Sequence, residues 1–163
     1  MKTVLVPTDF NVESTKIIDA LMQSQHEKLN IIFLHAFKLS DSVTDMLMLN
    51  YRSRDYENIS DEFYAQLNHY KSKYASQLNL GIEYFYGSTV VAFKNFLEAL
   101  DVACIAYPKA YNFKPINKYS IDPKFLTGRS GCEVMELDII DHDVNENLIE
   151  TKMHERTLQN VNV

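Results

Sequence analysis

Asp9 stands just past the apolar run Thr3-Val4-Leu5-Val6, within the segment Pro7-Thr8-Asp9-Phe10. A carboxylate there can accept hydrogen bonds from a ribose or an adenine amino group. It can equally work with Asn11 to cap the helix that follows. The residues alone leave both readings open. A second set of candidates lies between Tyr107 and Arg129, where Lys109, Lys114, Lys118 and Arg129 are mixed with Tyr107, Tyr111, Phe113 and Tyr119. Rings interleaved with cations suit a base or another flat anion. They also suit a plainer task, with tyrosines covering a sheet end and lysines keeping a loop hydrated.

The third candidate is acidic. Asp141-His142-Asp143-Val144-Asn145 places oxygen donors at the first, third and fifth positions of a calcium loop. Its sixth position is Glu146 instead of glycine, and its twelfth is Lys152 instead of glutamate. We read a hydrated acidic turn and expect no metal. His142 and His154 are too far apart on one helix to chelate together. Catalytic patterns are absent: neither G-x-S-x-G nor H-E-x-x-H occurs. His35 lies inside an apolar run, as a core or dimer-edge histidine would. Cys104 has no base or cation beside it in sequence, so an inert thiol is expected. No enzyme activity is expected of such a set.

Glycine is scarce, at four residues: Gly81, Gly87, Gly128 and Gly131. Average usage of about 7% would give roughly eleven. Loops that wrap backbone amides round phosphate need glycine for close approach and positive φ. Neither G-x-G-x-x-G nor G-x-x-x-x-G-K-[ST] is present.

The elements that would hold these residues alternate. Residues 3–6 and Leu29–Phe37 read as strands, the second apolar throughout as in a sheet covered on both faces. Ile17, Ile18 and Leu21 mark a helix between them. A short helix is expected around Val43–Leu49, and a longer one from Asp61 to Leu78 on Phe63, Leu67, Tyr70, Tyr74 and Leu78. Ile82–Tyr86 reads as a strand, and Gly87-Ser88-Thr89 as a turn and cap. Val90, Phe93, Leu97 and Leu100 mark a helix, and Val102–Tyr107 a strand. Residues 108–121 lack periodicity and are expected to form a loop. Asp122-Pro123 opens a short helix that Gly128 ends. Glu133–Ile140 alternates as an edge-like fifth strand, and residues 141–163 form a polar extension with a weak amphipathic pattern. Strands alternating with helices imply parallel pairing. Ligands of such a sheet bind beyond its carboxyl ends, at the switch point. That sets Pro7-Thr8-Asp9-Phe10 against the segment after Pro108.

Composition bounds the rest. A length of 163 residues fits one domain, taken as residues 1–140. With 16 Lys+Arg against 22 Asp+Glu, the net charge is −6, so no basic footprint for nucleic acid exists. Two cysteines make no disulfide scaffold and suit a reducing compartment. The apolar runs are too short for a signal core or a membrane span. A cytoplasmic chain without nucleic-acid or membrane partners is expected.

Lys2-Thr3-Val4-Leu5-Val6-Pro7-Thr8-Asp9-Phe10, a helix, then Ile31-Ile32-Phe33-Leu34-His35-Ala36-Phe37 resembles the opening of the universal stress protein family. The order of elements through Ile140 agrees. The resemblance implies a single α/β domain, Rossmann-like and adenine nucleotide alpha hydrolase-like, with a five-stranded parallel sheet flanked by helices. It implies a non-enzymatic stress-response protein and a homodimer paired through its last strand, here Val134, Leu137, Ile139 and Ile140. Some members bind ATP, which would put Pro7, Thr8, Asp9, Ala36 and Ser120 at the nucleotide. Their phosphate loop has the form G-x2-G-x9-G-[ST]. Laid on this chain it meets Pro108, Tyr111 and a closing pair near Tyr119-Ser120, so that Ser120 alone matches in type. Bulky residues in place of glycine crowd the phosphate space. Gly128-Arg129-Ser130-Gly131 lies about twenty residues too late and reads as a turn before the last strand. A chain without the usual ATP site and without a cofactor is expected; the alternative is an ATP- or AMP-binding member using Asp9 and Ser120.

Overall fold

Lys2–Pro7 forms β1, and all of it except Lys2 is buried. In this computed structural model, which describes residues 1–39 and 59–139, β1 is the central strand of the sheet. A 3-10 turn (Val12–Lys16) leads into α1 (Ile17–Ser24), which returns the chain to β2 (Leu29–Phe37). Next come α2 (Asp61–Tyr74), β3 (Leu78–Tyr86), α3 (Val90–Ala99) and β4 (Val102–Pro108). A two-residue strand β5 (Ser120–Ile121), a short α4 (Lys124–Arg129) and β6 (Glu133–Leu137) follow. The main sheet runs β3-β2-β1-β4-β6 with every pairing parallel, and β5 joins β2 antiparallel. The expected single α/β domain with a parallel sheet flanked by helices is the fold observed.

Each face of the sheet has its own core, because strand residues alternate between faces. One core gathers Val4, Val6, Ile31 and Phe33 against α1 and α2; the other gathers Leu5, Leu34 and Ile105 against Phe93 and Leu97 of α3 and Leu126 of α4. Asp19, only 4% exposed, ties α1 to α2. It accepts hydrogen bonds from Lys73 at 2.9 Å and from the Tyr74 hydroxyl. Burial, followed by that hydrogen bond, raises the Tyr74 phenol well above its usual range.

The caps at Asn11 and Thr89 follow the sequence reading, whereas Pro123 stands at the cap of α4 rather than in its first turn, with Asp122 Oδ1 accepting the Lys124 amide at 3.1 Å. Asn11, Ser60 and Thr89 each accept a backbone N–H at the start of a helix or 3-10 turn. Four segments differ from it. The helix from Asp61 ends at Tyr74, since Ala75 turns to φ 42°. Leu78 begins β3 opposite Leu29. Leu78 packs into the same core as Phe63 and Leu67, so its spacing imitates one more helical turn. Residues 108–121 contain β5. Gly128 lies inside α4, and it is Gly131, at φ 76°, that makes the turn into β6. β6 stops at Leu137. Ile140, the Val43–Leu49 helix, the boundary at residue 140, the Asp141–Asn145 turn, and His142, His154 and the rest of the extension lie outside the described residues. Among the described residues, no helix is long and apolar enough to cross a membrane.

Candidate nucleotide site at the carboxyl end of the sheet

β2 outruns β1. The last β1 pairing is Pro7 with Leu34, yet β2 continues to Phe37. Its final residues therefore have an open edge on the β1 side, and β5 takes it, pairing Ile121 with Ala36 and Ser120 with Phe37. Lys38 N–H donates to the Tyr119 carbonyl at 2.8 Å, which extends the attachment by one bond. The segment after β4 thus folds back over the carboxyl end of the sheet. It does so where the strand order reverses, at the position where open α/β sheets place ligands.

The five residues singled out for a nucleotide meet here. Pro7 and Ala36 are buried strand residues. The Thr8 hydroxyl accepts the Phe10 amide at 2.9 Å and pairs with Ser14 at 2.8 Å. This turn holds Phe10 at φ 62°, a strained value for a residue with a Cβ, and the Phe10 ring enters the core. Asp9 Oδ1 accepts the Asn11 amide at 3.0 Å, and Asn11 Oδ1 accepts that of Glu13 at 3.1 Å. Both side chains are engaged as local caps.

Ser120 is committed more heavily. Its hydroxyl oxygen accepts the amides of Ile116 at 2.9 Å and Asn117 at 3.2 Å, and it lies 2.8 Å from Nε2 of His35. Nδ1 of His35 lies 2.7 Å from the Thr8 carbonyl. His35, 1% exposed, therefore joins the loop after β1 to the segment after β4. Phe113 stacks on its ring at 6.3 Å between centroids. The sequence reading of His35 as a hydrogen-bonded core residue omitted this partner. A histidine inside an apolar strand needs two polar partners, and Ser120 is the one that sequence distance conceals. Ser120→Ala would strand two amides and an imidazole nitrogen. We expect a stability loss of about 1–3 kcal/mol, read as a lower urea midpoint; no change would mean that water replaces the hydroxyl fully.

Tyr111 occupies the other side of the switch point. Its ring meets Tyr107 edge-on at 4.7 Å, and its hydroxyl donates to Asp122 at 3.2 Å. Burial first, then Asp122, Tyr107 and Asp9, push the Tyr111 phenol far above its usual range. The Lys124 ammonium lies 5.1 Å from the Tyr111 ring centre, and Lys118 lies 4.9 Å from that of Tyr119. Lys109 pairs with Asp138 at an exposed position, where such pairs contribute little. Arg129 stacks on Phe125, apart from the loop lysines.

Elsewhere the chemistry is sparse. Burial raises the thiols of Cys104 and Cys132, keeping both protonated and poorly nucleophilic. Among the described residues, no three His, Cys, Asp or Glu side chains converge as metal ligands would. An open cavity of about 610 Å³ lies at the opposite, amino end of the sheet, between α3 and the start of β6.

No family model and no curated protein matches the chain. Solved structures do. The hypothetical protein PH0823 aligns over 86% of this chain and 97% of its own, with TM-score 0.51 and 16% identity. The chain shares the α/β fold of that structure. A universal stress protein solved in complex with cAMP aligns over 85% of this chain and 98% of its own, at TM-score 0.45 and 17% identity. The Arabidopsis thaliana universal stress protein family protein At3g01520, solved with AMP bound, aligns over 88% and 95%, at TM-score 0.43 and 11% identity. At these identities the likeness is one of architecture. Within this fold, the candidate site occupies the carboxyl ends of β1, β2 and β4.

Proposed function

We propose that this chain is a non-enzymatic, cytoplasmic stress-response protein of the universal stress protein type, acting as a homodimer and lacking the usual ATP site. The observation that carries the reading is the commitment of Ser120. The one residue that matches the family's phosphate loop in type gives its hydroxyl to His35 and to two amides of its own loop. Bulky Pro108 and Tyr111 at the glycine positions support the same reading, as does the use of Asp9 Oδ1 as a local cap. Titrating the purified chain with ATP and magnesium in a calorimeter should give no heat of binding at micromolar ligand. Micromolar affinity would overturn the reading in favour of nucleotide binding through Asp9 and Ser120.

A further inference from the structure

A net charge of −6 says nothing of where the charges lie. Residues 109–129 hold Lys109, Lys114, Lys118, Lys124 and Arg129 against one carboxylate, Asp122, so this stretch is net +4 in an acidic chain. The fold turns Asp122 to local use, since its Oδ1 accepts the Tyr111 hydroxyl and the Lys124 amide. α4 then sorts its residues by face. Leu126 and Thr127 are buried, whereas Lys124, Phe125, Gly128 and Arg129 are exposed. Phe125 remains 57% exposed although the Arg129 guanidinium lies 4.4 Å from its ring centre. Gly128, one helical turn after Lys124, has open space where a Cβ would stand. We propose that this face of α4 binds single-stranded nucleic acid, with a base stacked on Phe125 and the flanking phosphates held by Lys124 and Arg129.

Each part of the face fits that chemistry. An exposed ring offers a π surface to an unpaired base, and cations beside it add phosphate contacts and cation–π attraction. Among the described residues neither Lys124 nor Arg129 forms an ion pair with a carboxylate. Lys124 rests over the rings of Tyr107 and Tyr111, at 5.8 and 5.1 Å from their centres, which orients its charge without neutralising it. Gly128 lets a flat group approach the helix backbone beside them. Other occupants fit less well. An acidic peptide would satisfy the cations and leave the ring exposed. A second copy docked here by two-fold symmetry would set like cations against one another. A duplex offers the ring no unstacked base, and its length would carry phosphates toward the acidic remainder of the chain. The inference stands whether or not the chain binds ATP.

The test is fluorescence anisotropy of labelled oligouridine titrated with the full chain, from about 50 to about 200 mM salt. Log affinity should fall with log salt by about 0.7 for each phosphate neutralised. Lys124→Ala and Arg129→Ala should each flatten that slope by about 0.7. Lys71→Ala, at an exposed position on α2, should leave it unchanged. Phe125→Leu keeps an apolar side chain without the ring, and should weaken binding about fivefold or more at the same slope. Phe125→Tyr restores a ring and should restore the affinity. No binding at about 50 mM salt would overturn the proposal. So would full affinity in Phe125→Leu, which would mark a diffuse electrostatic contact, or equal competition by polyglutamate, which would mark an acidic peptide site. A change of mass in light scattering on Phe125→Leu, with affinity for oligouridine retained, would assign the ring to an interface between copies instead.

Discussion

Replacing Phe63 with alanine is expected to remove about 3–5 kcal/mol of stability, the largest single-residue loss among the changes considered. Phe63 is 0% exposed, and it bridges α2 to the sheet. Its ring meets Phe10 at 5.4 Å and Phe33 at 5.5 Å, both in edge-to-face contact. Truncation loses the transfer energy of the ring, both aromatic contacts, and the support beneath Phe10, whose backbone already holds a strained φ. Phe33 cannot collapse into the space easily, since it lies on a strand fixed in register. Urea unfolding read by far-ultraviolet circular dichroism should show a large fall in midpoint with little change in slope. Val91→Ala, at a 69% exposed position on α3, should stay within about 0.5 kcal/mol of wild type. A Phe63→Ala loss below about 1.5 kcal/mol would contradict close packing at that core.

The second large effect concerns association. Leu137 pairs with Pro108, and its carbonyl accepts the Lys109 amide at 2.9 Å. In a parallel ladder, alternate residues bond to the same neighbour. Glu133, Met135 and Leu137 therefore turn their backbone groups toward β4, while Val134 and Glu136 present theirs to the outer edge. Met135 and Leu137 also pack against the core that holds α1. If two chains pair through this edge, as the proposed function has it, light scattering should give about twice the 18.9 kDa chain mass. Glu136→Pro removes an outward donor and should return the mass to one chain with the fold retained. Leu137→Pro breaks the inner ladder instead, so it should destabilise or aggregate the chain. A wild-type monomer at high micromolar concentration, or a dimeric Glu136→Pro, would refute pairing through β6.

The strands were the most legible part of the sequence because both faces of the sheet are covered. Burial on two sides demands continuous apolar runs, and Ile31–Phe37 and Val102–Tyr107 supply them. Caps were legible at Asn11 and Thr89 for an equally local reason, since each bonds to an amide two or three residues away. The candidate site was legible at Asp9, next to a strand end, and much less so at Ser120. What Ser120 touches depends on the overhang of β2 past β1, which no window of sequence displays. Phe113 and Tyr111 could be seen as aromatic, but which of them covers His35 follows only from the folded path. The end of α2 was hidden by coincidence, because Leu78 serves the same core from a strand.

The overhang of β2 also bears on the order in which the chain folds. His35 and Ser120 are 85 residues apart, and β5 pairs with only Ala36 and Phe37 of β2. Closing so long a loop is entropically costly, and only two residues of strand reward it. In refolding, the 109–121 segment should therefore dock after the parallel sheet has assembled, as a late step. Mutations at Ser120 should leave the folding rate almost untouched and act instead by speeding unfolding.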